Sequence, residues 1–305
     1  MTESWRQLMN VGIVHFMAYP EGDPVQQIQD LGEDDFFDVV EIKPYDDDTM
    51  QKIKFICDTT GMSIGIGAQP GLLGDSLSLN DQDEAGRKAA IESVKGAIDA
   101  GYDLGAKIVA CLSGPMPDDE DDIPTEMELM VDSCVQLCEY AQQQADDEPI
   151  WLSVEQFDDT IDKECLIGPV DLSAQLATEV KKQVDNFGLT VDLSHTPMLD
   201  TDLSTVLGTL GEHMIHAHAG NCLIDDEDHE LYGDLHPRFD YPGSRNGMEE
   251  LRQYLEQLVY VGYFQNDVPT DKPVFTFEVK PYGDETPEMI LAHTKRTFQR
   301  AWAVL

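Results

Sequence analysis

Apolar positions in this chain gather into short strand-like runs separated by longer stretches with helical spacing. Runs rich in β-branched and aromatic residues predict strands at 11–17 (VGIVHFM), 36–43 (FFDVVEIK), 62–68 (MSIGIGA), 106–113 (AKIVACLS), 150–155 (IWLSVE), 189–193 (LTVDL), 213–219 (HMIHAHA) and 273–280 (PVFTFEVK). The clearest helix spans Asp81 to Gly105: Asp81 can cap it, Glu84 holds the capping-box position, and Ala89, Ile91, Val94, Ala97 and Ile98 share one face. Further helices are predicted at 123–145, 169–187, 246–262 and 286–304, the last opened by Thr286-Pro287-Glu288, with shorter ones at 24–31, 47–60 and 200–211.

Strand and helix therefore alternate eight times, with no Pro/Ser-rich linker to divide the chain. This pattern predicts a parallel sheet closed into a single (β/α)8 TIM barrel over residues 1–305. The alternative, an open doubly wound sheet, lacks a Gly-x-Gly-x-x-Gly turn after the first strand. A barrel places its active site at the C-terminal ends of its strands, so the residues closing each run carry the functional expectation.

Charge narrows the partners. Sixty Asp and Glu against 19 Lys and Arg give a net charge of -41. Such a field repels phosphate backbones and anionic bilayers, so neither nucleic acid nor membrane is expected as a partner. The acids fall in short runs, at 46–48, 118–122, 146–148 and 225–230, where loops are expected. The composition resembles that of a cytoplasmic protein from a salt-accumulating halophile, such as a halophilic archaeon. No apolar h-region follows the opening MTESWRQ and no apolar run approaches ~18 residues, so a cytoplasmic protein without signal peptide or membrane span is expected. The cysteines at 57, 111, 134, 138, 165 and 222 form no CxxC pair and read as core residues. Trp151 reads as core too.

Ionisable groups close several of the runs: Glu41, Glu155, Asp192 with His195 beyond it, His216 or His218, and Glu278. Carboxylates converging at one mouth repel one another unless a cation lies between them. Glu155, Asp192, His218 and Glu278 supply three carboxylates and one imidazole. This set suits one divalent cation, Mn2+ first, with Mg2+, Co2+ or Zn2+ also compatible. His216 reads as a satisfied core histidine, and His15 as a packing or substrate-contact residue.

The chain resembles the xylose isomerase-like TIM barrel superfamily, which includes sugar isomerases and ketose 3-epimerases, inosose dehydratases and endonuclease IV. The resemblance runs over nearly the whole length, through LNDQDEAGRKAAIESVKGAIDAGYDLGAKIVACLSG (79–114), SVEQ (153–156), VDLSH (191–195), HAHAGN (216–221) and TFEVKP (276–281). It implies that Glu155, Asp192, His218 and Glu278 are the ligands of a single metal, and that Glu155 and Glu278 also form the acid/base pair. The implied reaction is isomerisation or epimerisation of a sugar or cyclitol, by proton abstraction next to a carbonyl through a metal-stabilised enediolate. The alternative is a lyase of the same superfamily, inosose dehydratase-like or C-glycoside-cleaving. An endonuclease IV-like phosphodiesterase fits less well, because few histidines fall at the required strand ends.

The remaining candidates concern substrate. His195 is placed to meet a substrate oxygen or to act as a further ligand. The long connection 219–246 carries His236, Arg238 and Arg245, which stand out where cations are scarce. The segment 114–124 reads as a solvated acidic loop, with a lid as the alternative. VEIKPY at 40–45 and FEVKPY at 277–282 repeat one phrase, with Glu and Lys two residues apart on one face. Glu41 is accordingly expected outside the ligand set, holding Lys280 or a substrate hydroxyl. The partner is a small-molecule sugar or polyol, and a homo-oligomer is compatible with the sequence.

Overall fold

The computed structural model describes residues 4–199 and 201–305. Eight parallel strands close on themselves: β1 (Asn10–Val14), β2 (Val39–Ile42), β3 (Ser63–Gly67), β4 (Ile108–Cys111), β5 (Trp151–Gln156), β6 (Phe187–Asp192), β7 (Met214–Ala219) and β8 (Val274–Phe277), with β8 pairing back onto β1. Around them run α1 (His15–Ala18), α2 (Pro24–Glu33), α3 (Asp47–Thr60), α4 (Gln69–Gly74), α5 (Glu84–Leu104), α6 (Ile123–Gln144), α7 (Val170–Lys181), α8 (Leu203–Leu210), α9 (Met248–Tyr260) and α10 (Pro287–Trp302). The architecture is a single (β/α)8 TIM barrel, as the alternation of apolar runs predicts. Each expected run overlaps one observed strand, although the first turns helical from His15, and β1, β5 and β6 extend one or two residues beyond their runs. The expected helix at 200–211 starts at Leu203, and residue 200 lies outside the described residues.

Some of the acidic excess is structural. Asp23, Asp46, Asp83 and Asp202 each cap a helix by accepting a backbone N–H, with the negative charge set against the positive end of the helix dipole. For α5 the cap is Asp83 rather than the expected Asp81. Asp81 instead accepts the N–H of Asp83 at 2.8 Å and shapes the turn just before the helix.

Between the sheet and the helices lies a continuous apolar layer, in which Trp5, Phe36 and Phe277 meet the Phe298 ring of α10 edge to face. All six cysteines are buried and unpaired within the fold. Trp151, expected in the core, is only half-buried at the start of β5. No helix among the described residues is long and apolar enough to cross a membrane.

Inside the barrel, small inward residues decide what fits. A Cβ on Gly12 would stand 2.4 Å from Oγ1 of Thr276, and one on Gly65 would press the Glu41 side chain at 3.0 Å. Glu41 thus crosses the barrel over a bare backbone. Below it, on the side of Val39, Ser63, Gly65 and Ala110, a cavity of about 340 Å³ occupies the N-terminal end, with His216 bounding it as well.

A net charge of -41 on 305 residues makes self-repulsion a standing cost of folding that mobile ions screen. Lowering KCl from molar to millimolar concentration is expected to lower Tm by roughly 5–10 °C, read by differential scanning calorimetry. A melting temperature independent of KCl would contradict this account.

Candidate metal centre at the barrel mouth

Parallel register places the candidate residues at one level. Asp192 ends β6 directly opposite His218 on β7, and His218 lies opposite Thr276 on β8, so Glu278 follows just beyond the ladder. Glu155 comes up from β5 in line with Thr190. One ligand atom from each of Glu155, Asp192, His218 and Glu278 lies within 4.8 Å of the others. His218 Nδ1 stands 3.3 Å from Glu155 Oε1, 3.2 Å from Glu278 Oε2 and 3.9 Å from Asp192 Oδ2.

What suits these four residues to hold a cation is how the other atom of each group is engaged. Glu155 Oε2 accepts the side-chain N–H of Gln69 at 2.8 Å, and Asp192 Oδ1 accepts the backbone N–H groups of Ser194 at 2.5 Å and Gly220 at 2.9 Å. His218 Nε2 stands 3.1 Å from Glu41 Oε2, and Glu278 Oε1 stands 3.4 Å from His236 Nε2. The remaining atoms, Glu155 Oε1, Asp192 Oδ2 and His218 Nδ1, are buried without a hydrogen-bond partner. Buried polar atoms left unsatisfied are costly, and three of them facing one point with Glu278 beside them fit a hard divalent cation. With a cation in place of the Nδ1 proton, Nε2 would keep donating its N–H to Glu41 while Nδ1 coordinates.

The carboxylates dominate the local electrostatics. Burial alone would push His218 toward its neutral form, but Glu41 and Glu155 outweigh it and hold its pKa well above the usual imidazole range. For Glu41 the opposite holds: burial favours the protonated acid, and His216 and His218 keep the carboxyl well below the ordinary range. Glu41 therefore bridges two histidines, His216 at 2.8 Å and His218 at 3.1 Å, rather than holding Lys280 as its sequence suggested. Lys43 is exposed, with its Nζ 5.9 Å from the Tyr45 ring centre, and Lys280 Nζ lies against the Tyr282 ring. Lys43 and Lys280 lie beyond the ends of β2 and β8, so the two-residue spacing named neither a shared strand face nor the partner across the barrel. His216 is a satisfied core histidine, also 3.1 Å from Oγ1 of Thr276.

Beside this set stands a second group, His195, Asp234 and His236, whose donor atoms likewise lie within 4.8 Å of one another. Asp234 faces both imidazoles, His195 Nε2 at 3.2 Å and His236 Nε2 at 3.3 Å. Burial works against charge on each ring, yet Asp234 lifts His195 to about 10 and His236 to about 9. His195 Nδ1 points at the carbonyl of Gln156 at 2.5 Å and its ring stacks on Phe157, so both nitrogens are engaged within the protein rather than offered to a substrate. His15, His195, His216, His218 and His236 are all buried.

Asp234, Gln69 and Lys163 are residues of the site that sequence reasoning missed. Asp234 sits in an acid-rich loop without strand periodicity, and its signal was its spacing of two from His236. His236 itself adopts a positive φ of 51°, a backbone state uncommon outside glycine, and its carbonyl accepts the N–H of Lys280 at 2.8 Å. The 219–246 connection is pinned from within. Asn221 donates to the carbonyl of Arg238 and the hydroxyl of Ser244, while Asn246 donates to the carbonyls of Leu193 and Gly220.

A cavity of about 310 Å³ opens above the cluster, lined on its polar side by Gln69, Glu155, Lys163, His218, His236 and Glu278. Arg238 and Arg245 do not line it. Arg238 Nε donates to Glu285 at 2.7 Å and Arg245, 43% exposed, pairs with Asp225 at 3.3 Å. In a chain this rich in acids, both loop arginines found carboxylates nearer than the mouth. The cation that does line the cavity is Lys163, whose pKa stays raised despite burial because Asp234 and Asp162 face it. Its loop is shaped by Asp158, a buried carboxylate accepting the N–H groups of Ile161, Asp162 and Lys163. In the 114–124 segment, residues 118–120 are exposed acids.

Comparisons with known proteins add a family to this geometry. A family model described as Xylose isomerase-like TIM barrel matches residues 25–293. No curated protein sequence matches the chain. Among solved structures, it is similar to an IolI protein with a bound zinc atom (TM-score 0.74, 17% identity, 97% of this chain and 99% of that one). It is similar also to an L-ribulose 3-epimerase (0.72, 14%, 97% and 96%). A third is the D-psicose 3-epimerase of Clostridium cellulolyticum H10 with D-tagatose (0.68, 17%, 97% and 98%). At these identities the likeness concerns the fold.

His15 offers a test independent of the cluster. Burial lowers its pKa from 6.5 to about 4, against the opposing hydrogen bond that His15 Nε2 donates to Oε1 of Gln27. The unfolded chain binds this proton first as pH falls, so stability is intact above 6.5 and is lost progressively down to about 4. The loss amounts to about 3 kcal/mol. Urea unfolding of wild type and His15→Gln at pH 7 and pH 4.5 is expected to show a gap that narrows at the lower pH. A gap unchanged with pH would count against it.

Proposed function

The chain belongs to the xylose isomerase-like TIM barrel family, and from that premise we propose that it is a divalent-metal-dependent isomerase or epimerase of a sugar or cyclitol. The observation that carries this reading is the convergence of Glu155 Oε1, Asp192 Oδ2, His218 Nδ1 and Glu278 Oε2 at the mouth, three of them buried without a partner. In this proposal those four residues hold one cation, Mn2+ by preference for an oxygen-rich set, with Mg2+, Co2+ and Zn2+ compatible. When bound, such an ion would polarise a substrate carbonyl and offset the negative charge that builds on its oxygen.

The proton work falls to the protein. Glu155 and Glu278 rise from strands three apart in the barrel order, so carboxylates can approach one substrate carbon from two directions. One removes the proton next to the carbonyl, and the other, or the same one, returns it. Gln69 fixes the aim of Glu155, and His236 that of Glu278. Glu41 acts through His218, holding the ring so that Nδ1 faces the centre. Lys163 and His236 offer protons to substrate oxygens at the cavity wall. That acidic pair gives a specific reason to keep the lyase as second reading, since loss of a β-hydroxyl needs a proton donor. A phosphodiesterase is disfavoured: among the described residues Lys163 alone of the Lys and Arg side chains lining this cavity sits beside the cluster, a poor match to a polyanion.

The acidic surface and unpaired cysteines support a cytoplasmic protein of a halophilic archaeon, acting on a small sugar or polyol and not on nucleic acid or membrane.

Mass spectrometry of the purified chain is expected to find one divalent metal per chain; two would implicate His195, Asp234 and His236 as a further site. In D2O with Mn2+, ketoses and inososes are expected to take up deuterium without losing water, whereas water loss would favour the lyase. Glu155→Gln and Glu278→Gln should each slow exchange by roughly 10²–10⁴-fold, and exchange at the wild-type rate in both would dismiss the acid/base pair. Glu41→Gln is expected to weaken metal affinity by about 10–100-fold in a chelator competition assay.

A further inference from the structure

The N-terminal half of the barrel holds a gap that the strand register leaves open. β2 and β3 pair from Val39 with Ser63 to Ile42 with Ile66, and β4 pairs with β5 from Ile108 onward, but β3 and β4 meet only at Ile66 with Val109 and Gly67 with Ala110. Below that point the two strands part. The cavity of about 340 Å³ at this end fills the gap, reaching from Val39 and Val274 past Gly65 to Cys57 on α3 and Leu104 on α5. Ile64 and Ile66 line it as well as Gly65, so both faces of β3 border the same space. Ser63, at the start of β3, also lines it and is exposed, so the cavity opens on the N-terminal face.

The inner end of this cavity is polar. Glu41 and His216 bound it, at 4% and 3% exposure. Glu41 Oε2 is engaged with His218, whereas Oε1, 2.8 Å from His216 Nε2, lacks the alignment of a hydrogen bond, since that nitrogen is aligned on Oγ1 of Thr276. A buried acceptor left in this state gains from any donor that reaches it. The charge of that donor is constrained. An anion meets the Glu41 carboxylate, and a cation meets the two imidazoles already facing it. The rim favours neither sign, because Lys54 pairs with Asp58 at 3.1 Å and Lys107 with Glu148 at 3.3 Å. The walls are aliphatic, through Val39, Ile108, Ala110 and Val274.

Glu41 itself is supported on few sides. Gly65 gives it bare backbone to lie on, and the cavity leaves it without packing from below. We propose that the N-terminal cavity is a second ligand site, taking a compact neutral molecule with one hydrogen-bond donor and a ring-sized apolar body. The donor meets Oε1, the body fills the gap between β3 and β4, and together they brace Glu41 where it orients His218. Occupancy at one end of the barrel thereby tightens the metal centre at the other. The site follows from the cavity alone, while its coupling rests on the reading of Glu155, Asp192, His218 and Glu278 as a metal centre.

Cyclopentanol and cyclopentanone differ by the donor and little else. A net hydrogen bond contributes roughly two- to tenfold in affinity, so NMR titration of the metal-free protein is expected to find the alcohol bound about fivefold more tightly than the ketone. Ser63→Phe, at an exposed position, and Ala110→Val narrow the cavity. Each, with a Tm no lower than that of wild type, is expected to weaken binding of the alcohol by about tenfold or more. Equal affinity for alcohol and ketone, or binding that survives both substitutions, would overturn the site. In chelator competition, saturating cyclopentanol is expected to tighten Mn2+ binding about fivefold, and Mn2+ to tighten cyclopentanol binding by the same factor. A Mn2+ affinity unmoved by the alcohol would overturn the coupling. A chain that takes up no Mn2+ yet binds the alcohol, with both substitutions weakening it, would refute the metal reading and leave the site standing.

Discussion

Burying several carboxylates at one end of a barrel is a cost that the rest of this fold is arranged to meet. Glu41, Glu155, Asp192 and Asp234 are all almost completely buried, and Glu278 stands at their edge. Left alone, such charges would repel one another in a medium that screens poorly. Glu41 is offset by two imidazoles, Asp234 by two more, and Asp192 by backbone amides. After these pairings the uncompensated atoms face inward together. The polar mouth is thus organised as two neutralised shells around one electron-rich point.

That organisation depends on the barrel underneath. Parallel pairing sets Asp192, His218 and the start of the Glu278 segment side by side, and bare backbone at Gly65 lets Glu41 reach across to β7 from β2. The loop after β7 then brings Asp234 and His236 back over the strand ends, with two buried asparagines holding its path. Buried amide networks of this kind rigidify only when every member is satisfied. Most of the side-chain amide groups of Asn221 and Asn246 are engaged with main chain.

How far the sequence foretold this depends on which residue is asked about. Eight apolar runs announced the barrel because burial on a parallel sheet leaves a periodic trace along the chain. Glu155, Asp192, His218 and Glu278 were visible as polar residues closing such runs. Asp234 left no trace of that kind, being one acid among many in a loop, and Gln69 was hidden by its lack of charge. The partners of Glu41 and the surface pairing of Arg238 and Arg245 are contacts between segments far apart in sequence or within an irregular loop, which local periodicity does not encode. The cap of α5 was misplaced by two residues because Asp81 and Asp83 both suit the role, and only the chain path chooses between them.

Asp192 carries one more implication. Its Oδ1 is oriented by the main-chain amides of Ser194 and Gly220, which every residue except proline possesses. A carboxylate steered in this way places selection on the course of the backbone. At Gly220 that selection is also steric, because a Cβ there would stand 2.5 Å from Nδ1 of His236, so the aim of Asp192 and the seat of His236 are inherited together.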